Sequence, residues 1–93
     1  MSVTVEVPTP LRRFTQEQRE VTIEGRTVGE ALRRTVERHP SLERHLYTED
    51  GKLRSFVNVF LNEDDIRHLD KEDTRVADGD RISIIPSIAG GRP

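Results

Sequence analysis

Near the C-terminal end of the sequence, Ala89-Gly90-Gly91 is followed by Arg92-Pro93, and this segment is the first candidate for a reactive group. Two consecutive glycines beyond the last apolar segment have no core to pack into and no turn to make between elements. Glycine has no side chain, so such a tip lets other groups approach its backbone closely. The plain alternative is a frayed terminus, which many chain ends are.

No other constellation competes with the tail. The chain has no cysteine, which excludes disulfides, thiolate-held clusters and Cys nucleophiles. His39, His45 and His68 lack metal-ligand spacing and are read as structural or surface groups, with His39 placed where a helix C-terminus favours a cation. Asn62-Glu63-Asp64-Asp65 and Asp78-Gly79-Asp80 are too short and too poor in ligands for a calcium loop, and serve better as turns. Nucleophile-elbow, phosphate-loop and dinucleotide fingerprints are absent. We therefore expect no catalytic residue, no metal and no bound cofactor.

Composition narrows the partners. Charged residues make up 34% of the 93, yet the formal net charge is only -2. That balance argues against sequence-independent nucleic-acid binding, and the basic pairs Arg12-Arg13 and Arg33-Arg34 have no interleaved aromatics on which bases could stack. These arginines are expected to be mostly solvated, with Glu30 and Arg34 forming an i,i+4 pair. No stretch approaches the roughly 18 apolar residues of a membrane span, and no secretory leader pattern opens the chain, so the cytoplasm is the expected compartment.

The elements that must position the tail can be read from periodicity. Val3-Thr4-Val5-Glu6-Val7 alternates with period two and predicts a strand ended by Pro8-Thr9-Pro10. Leu11 to Arg19 reads as a polar connection, and Glu20 to Glu24 as a second strand. Thr27 and Glu30 have the spacing of a capping box, from which a helix presents Val28, Ala31, Leu32, Thr35 and Val36 on one stripe until Pro40 stops it at His39. After Asp50-Gly51, Leu53 to Leu61 gives a strand signal, Ile66 to Leu69 a short strand, and Arg81 to Ile85 a last strand.

Two strands, one helix and three strands make an α+β order, and the simplest architecture that uses it is a β-grasp (ubiquitin-like) fold, a mixed sheet with one main helix packed on one face. Residues 1–87 form the expected domain and 88–93 a flexible tail. On a sheet covered on one face only, alternation sends Phe60 and Ile85 to the open face. With Ile88 in the tail they could form an apolar docking patch; scattered exposed apolar residues are the ordinary alternative.

These features, taken in order, resemble the MoaD/ThiS family of sulfur carriers. The resemblance rests on Val3-Thr4-Val5, Pro8-Thr9, Leu11-Arg12, Phe56-Val57-Asn58 with Asn62, Asp78-Gly79-Asp80 and Ala89-Gly90-Gly91. It covers nearly the whole chain, and is greatest toward members that supply sulfur for cysteine synthesis. It implies that an ATP-dependent adenylating enzyme, related to the ubiquitin-activating enzymes, joins the Gly91 carboxylate to AMP. Sulfide then displaces AMP to give a C-terminal thiocarboxylate. A sulfur-accepting enzyme such as a cysteine synthase spends it; thiamine or molybdopterin pathways share the same tail.

The sequence departs from the mature family pattern in Arg92-Pro93, which block the carboxylate that must react. Proline makes the last bond a tertiary amide and disfavours stepwise trimming, so one cut between Gly91 and Arg92 is expected. The resemblance suggests a JAMM-type zinc protease. Two other readings stay open: a covalent modifier joined through Gly91 to lysines of other proteins, and a noncovalent β-grasp binding subunit that keeps Arg92-Pro93.

Overall fold

Alternating valines and isoleucines decide which side of the sheet is covered. In the computed structural model, which describes residues 1–86, the strands are β1 (Ser2–Glu6), β2 (Glu20–Glu24), β3 (Val57–Leu61), β4 (Asp64–Asp65) and β5 (Arg81–Pro86). They lie in the order β2-β1-β5-β3-β4, with β1 and β5 parallel and every other neighbouring pair antiparallel. Val3, Val5, Val21, Ile23, Val57, Val59, Leu61, Ile82 and Ile84 all point to one side and are buried.

That side is covered by α1 (Val28–Arg38). Thr27 takes extended angles, and its hydroxyl oxygen accepts the Glu30 N–H at 3.1 Å. The Glu30 carboxylate reaches back one residue further than a standard capping box and accepts the Arg26 N–H at 2.7 Å. The stripe expected from the sequence is the stripe that is buried, Val28, Ala31, Leu32, Thr35 and Val36. Burial of a side chain such as Leu32 contributes about 1.5–3 kcal/mol. Glu30 and Arg34 meet at 3.8 Å on the wet face, where an ion pair adds little.

Several connections differ from their sequence reading. The expected polar connection at Leu11 to Arg19 contains a 3-10 helix, Thr9–Thr15, that buries Leu11 and Thr15 and packs Phe14 against the core. Only two of its seven residues are buried, too sparse a pattern to register as a period. The strand expected over Leu53 to Leu61 is regular only from Val57, because the Val57 N–H closes a turn onto the Arg54 carbonyl at 3.0 Å. Leu53 instead bridges to Tyr47. Ile66 to Leu69 is no strand: Ile66–His68 is a 3-10 turn capped by the Asp65 carboxylate, which accepts the Arg67 N–H at 2.9 Å.

The arginines expected to be solvated are partly structural. Arg33 lies over the Tyr47 ring at 4.0 Å and donates to the Gly51 carbonyl at 2.6 Å. Arg12 donates to the Val7 carbonyl at 3.0 Å, tying the 3-10 helix to the end of β1. Tyr47 is fully buried, and that burial pushes its hydroxyl up to about 12.

His39 also departs from its reading as a favoured cation. It is buried at the end of α1, where desolvation, and then the adjacent Arg38 charge, hold it below the ordinary imidazole range. His45, in α2 (Glu43–Leu46), stacks on Phe14 with ring centroids 4.3 Å apart. It is lowered by burial and by Arg44, Arg54 and Arg13. At His39, desolvation together with the Arg38 charge outweighs the helix terminus.

Two outcomes follow from this packing. Thr27→Ala removes the oxygen that caps α1 and should cost about 1 kcal/mol, read as a lower urea midpoint at unchanged slope. The unfolded chain takes up protons at His39 and His45 near pH 6.5, whereas the folded protein resists them to lower pH. Stability is therefore full above about pH 6.5 and falls as pH drops below it, toward the lowered folded values. Urea midpoints at about pH 7.5 and about pH 5.5 should show that loss, and His39→Gln with His45→Gln should flatten it.

Candidate functional site

The strand that leads to the tail is held on both sides. β5 lies between β1 and β3, with Val5 opposite Ile82 and Val59 opposite Ile84. Its start is set by the Asp78-Gly79-Asp80 turn. Gly79 has φ +88, which favours glycine, and its N–H donates to the Ser2 carbonyl at 2.8 Å. The Asp78 carboxylate accepts the Ser2 N–H at 2.7 Å, and the Asp80 carboxylate accepts the Ala77 N–H at 2.8 Å. Asn62 closes the neighbouring turn, exchanging bonds with Arg81: its N–H donates to the Arg81 carbonyl at 2.7 Å and its side-chain oxygen accepts the Arg81 N–H at 3.1 Å.

At the other end β5 stops at Pro86, opposite Val57. Gly91, Gly90, Ala89, Arg92, Pro93 and the patch candidate Ile88 lie outside the described residues. Phe60 and Ile85 lie within them, on the open face of the sheet. Ile85 is 49% exposed and pairs with Asn58; Phe60 is half-buried and pairs with Ser83. The two apolar side chains are thus diagonal neighbours across β3 and β5, a spacing that lets large side chains meet.

Charges frame this pair on both sides. Toward β1 and β2, the Arg81 guanidinium bridges Glu6 and Glu20, with 2.8 Å to the Glu20 carboxylate. Ser83 donates to the other Glu6 oxygen at 2.8 Å. The Ser83 hydrogen bond, outweighing burial, and then Arg81 hold Glu6 below the usual carboxylate range. Toward β4, Arg67 pairs with Asp65 at 3.3 Å and donates to the Asn58 side-chain oxygen. Asp65 is lowered first by the Arg67 N–H and then by its side chain.

Sequence reasoning missed this frame. The alternation placed Glu6, Glu20, Arg81 and Ser83 outward, but residues 61 to 77 positions apart in sequence become partners only once the strand register is fixed. A second missed feature is a groove of about 430 Å³ beside the end of β5, between Val7–Thr9 and Ser83–Ile85, with Arg12 and Arg19 on its wall. Among the described residues, no group of three or more His, Cys, Asp or Glu gathers as a metal site, and no helix is long and apolar enough to cross a membrane. The described part thus presents a tail root and a framed apolar pair, and its ionisable groups on that face are engaged with one another.

Comparison with known proteins agrees with this arrangement. The chain is 37% identical to the sulfur carrier protein CysO of Mycobacterium tuberculosis, over 98% of this chain and all of that one. It is 40% identical over 65 residues to small archaeal modifier protein 3 of Haloferax volcanii, 70% of each chain. Among solved structures, a chain of the Amycolatopsis orientalis BexX/CysO complex superposes with a TM-score of 0.86 at 38% identity, covering 96% of this chain and 99% of that one. The model of the ThiS family matches residues 5–91, from β1 through the diglycine. The chain therefore belongs to the ThiS family and carries its ubiquitin-like β-grasp fold.

Proposed function

We propose that this chain is a sulfur-carrier protein, a cosubstrate that reacts through Gly91 and leaves catalysis to its partners. The observation that carries the reading is the extent of the family match, which runs through Gly91 and stops before Arg92, in a chain like CysO over nearly its whole length. Three steps follow. Water cleaves the Gly91–Arg92 bond in a protease of the JAMM zinc type, releasing the Arg-Pro dipeptide and exposing the Gly91 carboxylate. In an adenylating enzyme, a carboxylate oxygen bonds to the α-phosphorus of ATP as pyrophosphate leaves. Sulfide then adds to the acyl carbon and AMP departs, which leaves a thiocarboxylate.

The acceptor is a synthase that takes this sulfur, with cysteine synthesis the destination that the likeness to CysO supports. The requirement for ATP fits a cytoplasmic protein. A partner complex is supported by the BexX/CysO structure, and the framed pair Phe60 and Ile85, continued by Ile88, is the surface we assign to the adenylating enzyme. Apolar area with charged surroundings suits such a site, because burial supplies affinity and the charges fix orientation. A covalent-modifier reading is favoured by one observation, the likeness to small archaeal modifier protein 3.

Two measurements test these statements. Intact mass analysis of untagged protein from its native cell should find chains ending at Gly91 with one oxygen replaced by sulfur. Chains keeping Arg92-Pro93 under both sulfur-replete and sulfur-starved growth would sink the carrier reading, and Gly91 found joined to lysines of other proteins would favour the modifier. Phe60→Asp should fold normally and weaken binding to the adenylating enzyme by about tenfold or more. Wild-type affinity in that variant would remove Phe60 from the docking surface.

A further inference from the structure

A second surface lies beside the tail root, on the side of β3 away from Phe60. Here a groove of about 430 Å³ is floored by Leu53, Val57, Val59 and Ile66. Lys52, Arg54, Arg67 and Lys71 stand around it, and Glu72 is the single acid of its lining. That excess of bases is local, since the chain as a whole has a formal net charge of -2.

Three observations indicate what the groove receives. First, β4 pairs only with Phe60 and Leu61, so among the described residues no strand lies along Val57–Val59 on this side. The Asn62 N–H bonds toward β5, and ladder alternation therefore turns the Val59 N–H and the Val57 carbonyl toward this edge. An edge of this kind is a template for a further strand. Second, the partly buried Leu53 and the edges of the buried Val57, Val59 and Ile66 give the groove an apolar lining.

Third, the charges around it are partly uncommitted. Arg67 is held by Asp65 and Asn58, and Arg54 Nε donates to the Arg44 carbonyl at 2.8 Å. The ammonium groups of Lys52 and Lys71 have no hydrogen bond or ion pair among the described residues. Lys71 has φ +56, a left-handed conformation in which glycine or asparagine is the more usual occupant. A long base occupies a backbone position that disfavours it.

We propose that this groove binds an extended segment of a partner protein that carries aliphatic residues flanked at both ends by acids, added as a strand beside Val57–Val59. Main-chain hydrogen bonds would hold the segment, the apolar lining would take the aliphatic side chains that face it, and the lysines on the same side would take the flanking acids. Val57 is also the partner of Pro86, the last described residue of β5. A protein that receives the tail gains a hold here that leaves the Phe60–Ile85 face uncovered. The inference is independent of the sulfur chemistry.

The test is titration of the isotope-labelled full chain with a blocked seven-residue peptide that has valine or isoleucine at its centre and aspartate or glutamate at both ends, followed by amide chemical shifts. The expected result is saturable change at Val57, Val59 and Ile66, and none with a control peptide carrying lysine in place of the acids. Lys52→Ser combined with Lys71→Asn should weaken binding about tenfold. Asparagine tolerates the backbone at position 71, so this variant should keep a native-like spectrum. The proposal is overturned by no saturable change, by equal binding of the lysine peptide or of inorganic polyphosphate, by changes centred on Arg13 and Arg38 instead, or by unaltered affinity in the lysine variant.

Discussion

The parallel pairing of β1 with β5 is the constraint on which the rest of the structure depends. Two strands far apart in sequence can run parallel only if a long connection returns the chain to the same end of the sheet. Here that connection contains β2, α1, β3 and β4, and α1 covers the face that the valines and isoleucines create. Because β5 is inserted between β1 and β3, Ile82 and Ile84 are buried almost completely. β5 is bonded on both sides over Arg81–Ser83 and to β3 alone from Ile84 to Pro86, so the residues before the tail are held by the β3 ladder and by burial of Ile84.

The same insertion explains why some features were legible in the sequence and others were not. The strand faces, the α1 stripe and the Thr27 cap are local, each set by residues two to four positions apart, and the sequence reading placed them correctly. The 3-10 helix at Thr9–Thr15 has no such repeat; it is imposed by packing of Leu11, Thr15 and Phe14 against a core assembled from elsewhere. Val57 begins β3 because of a turn at Arg54, and no periodicity announces a turn built from Arg54, Ser55 and Phe56. His39 shows the limit of a local rule, since the helix terminus was visible in the sequence and the burial that overrides it was not.

Site residues divide along the same line. Phe60 and Ile85 could be assigned to the open face because alternation is a property of each strand alone. The link from Glu6 through Arg81 to Glu20 requires three strands in register. So does the placement of Asp65 and Arg67 beside Asn58. These charges leave the apolar pair as the part of that face able to lose water without breaking an ion pair. A partner that covered Arg81 would have to replace solvent around three charged groups, at a cost that a rim position largely avoids.

Covalent geometry then limits where partners can sit. Gly91 lies five positions beyond Pro86, and a fully extended segment of five residues spans at most about 18 Å. Whatever acts at Gly91 must therefore bring its reacting groups within that distance of the end of β5. Two of the surfaces near that end are the open face at Ile85 and the edge of β3 at Val57, which is paired with Pro86 itself. They face different directions, because inward and outward positions alternate along β3. They also differ in character, the first apolar between ion pairs and the second apolar beneath lysines. Under the proposed carrier function successive enzymes would approach the same few residues, and two separate surfaces would let each one bind and then give way to the next.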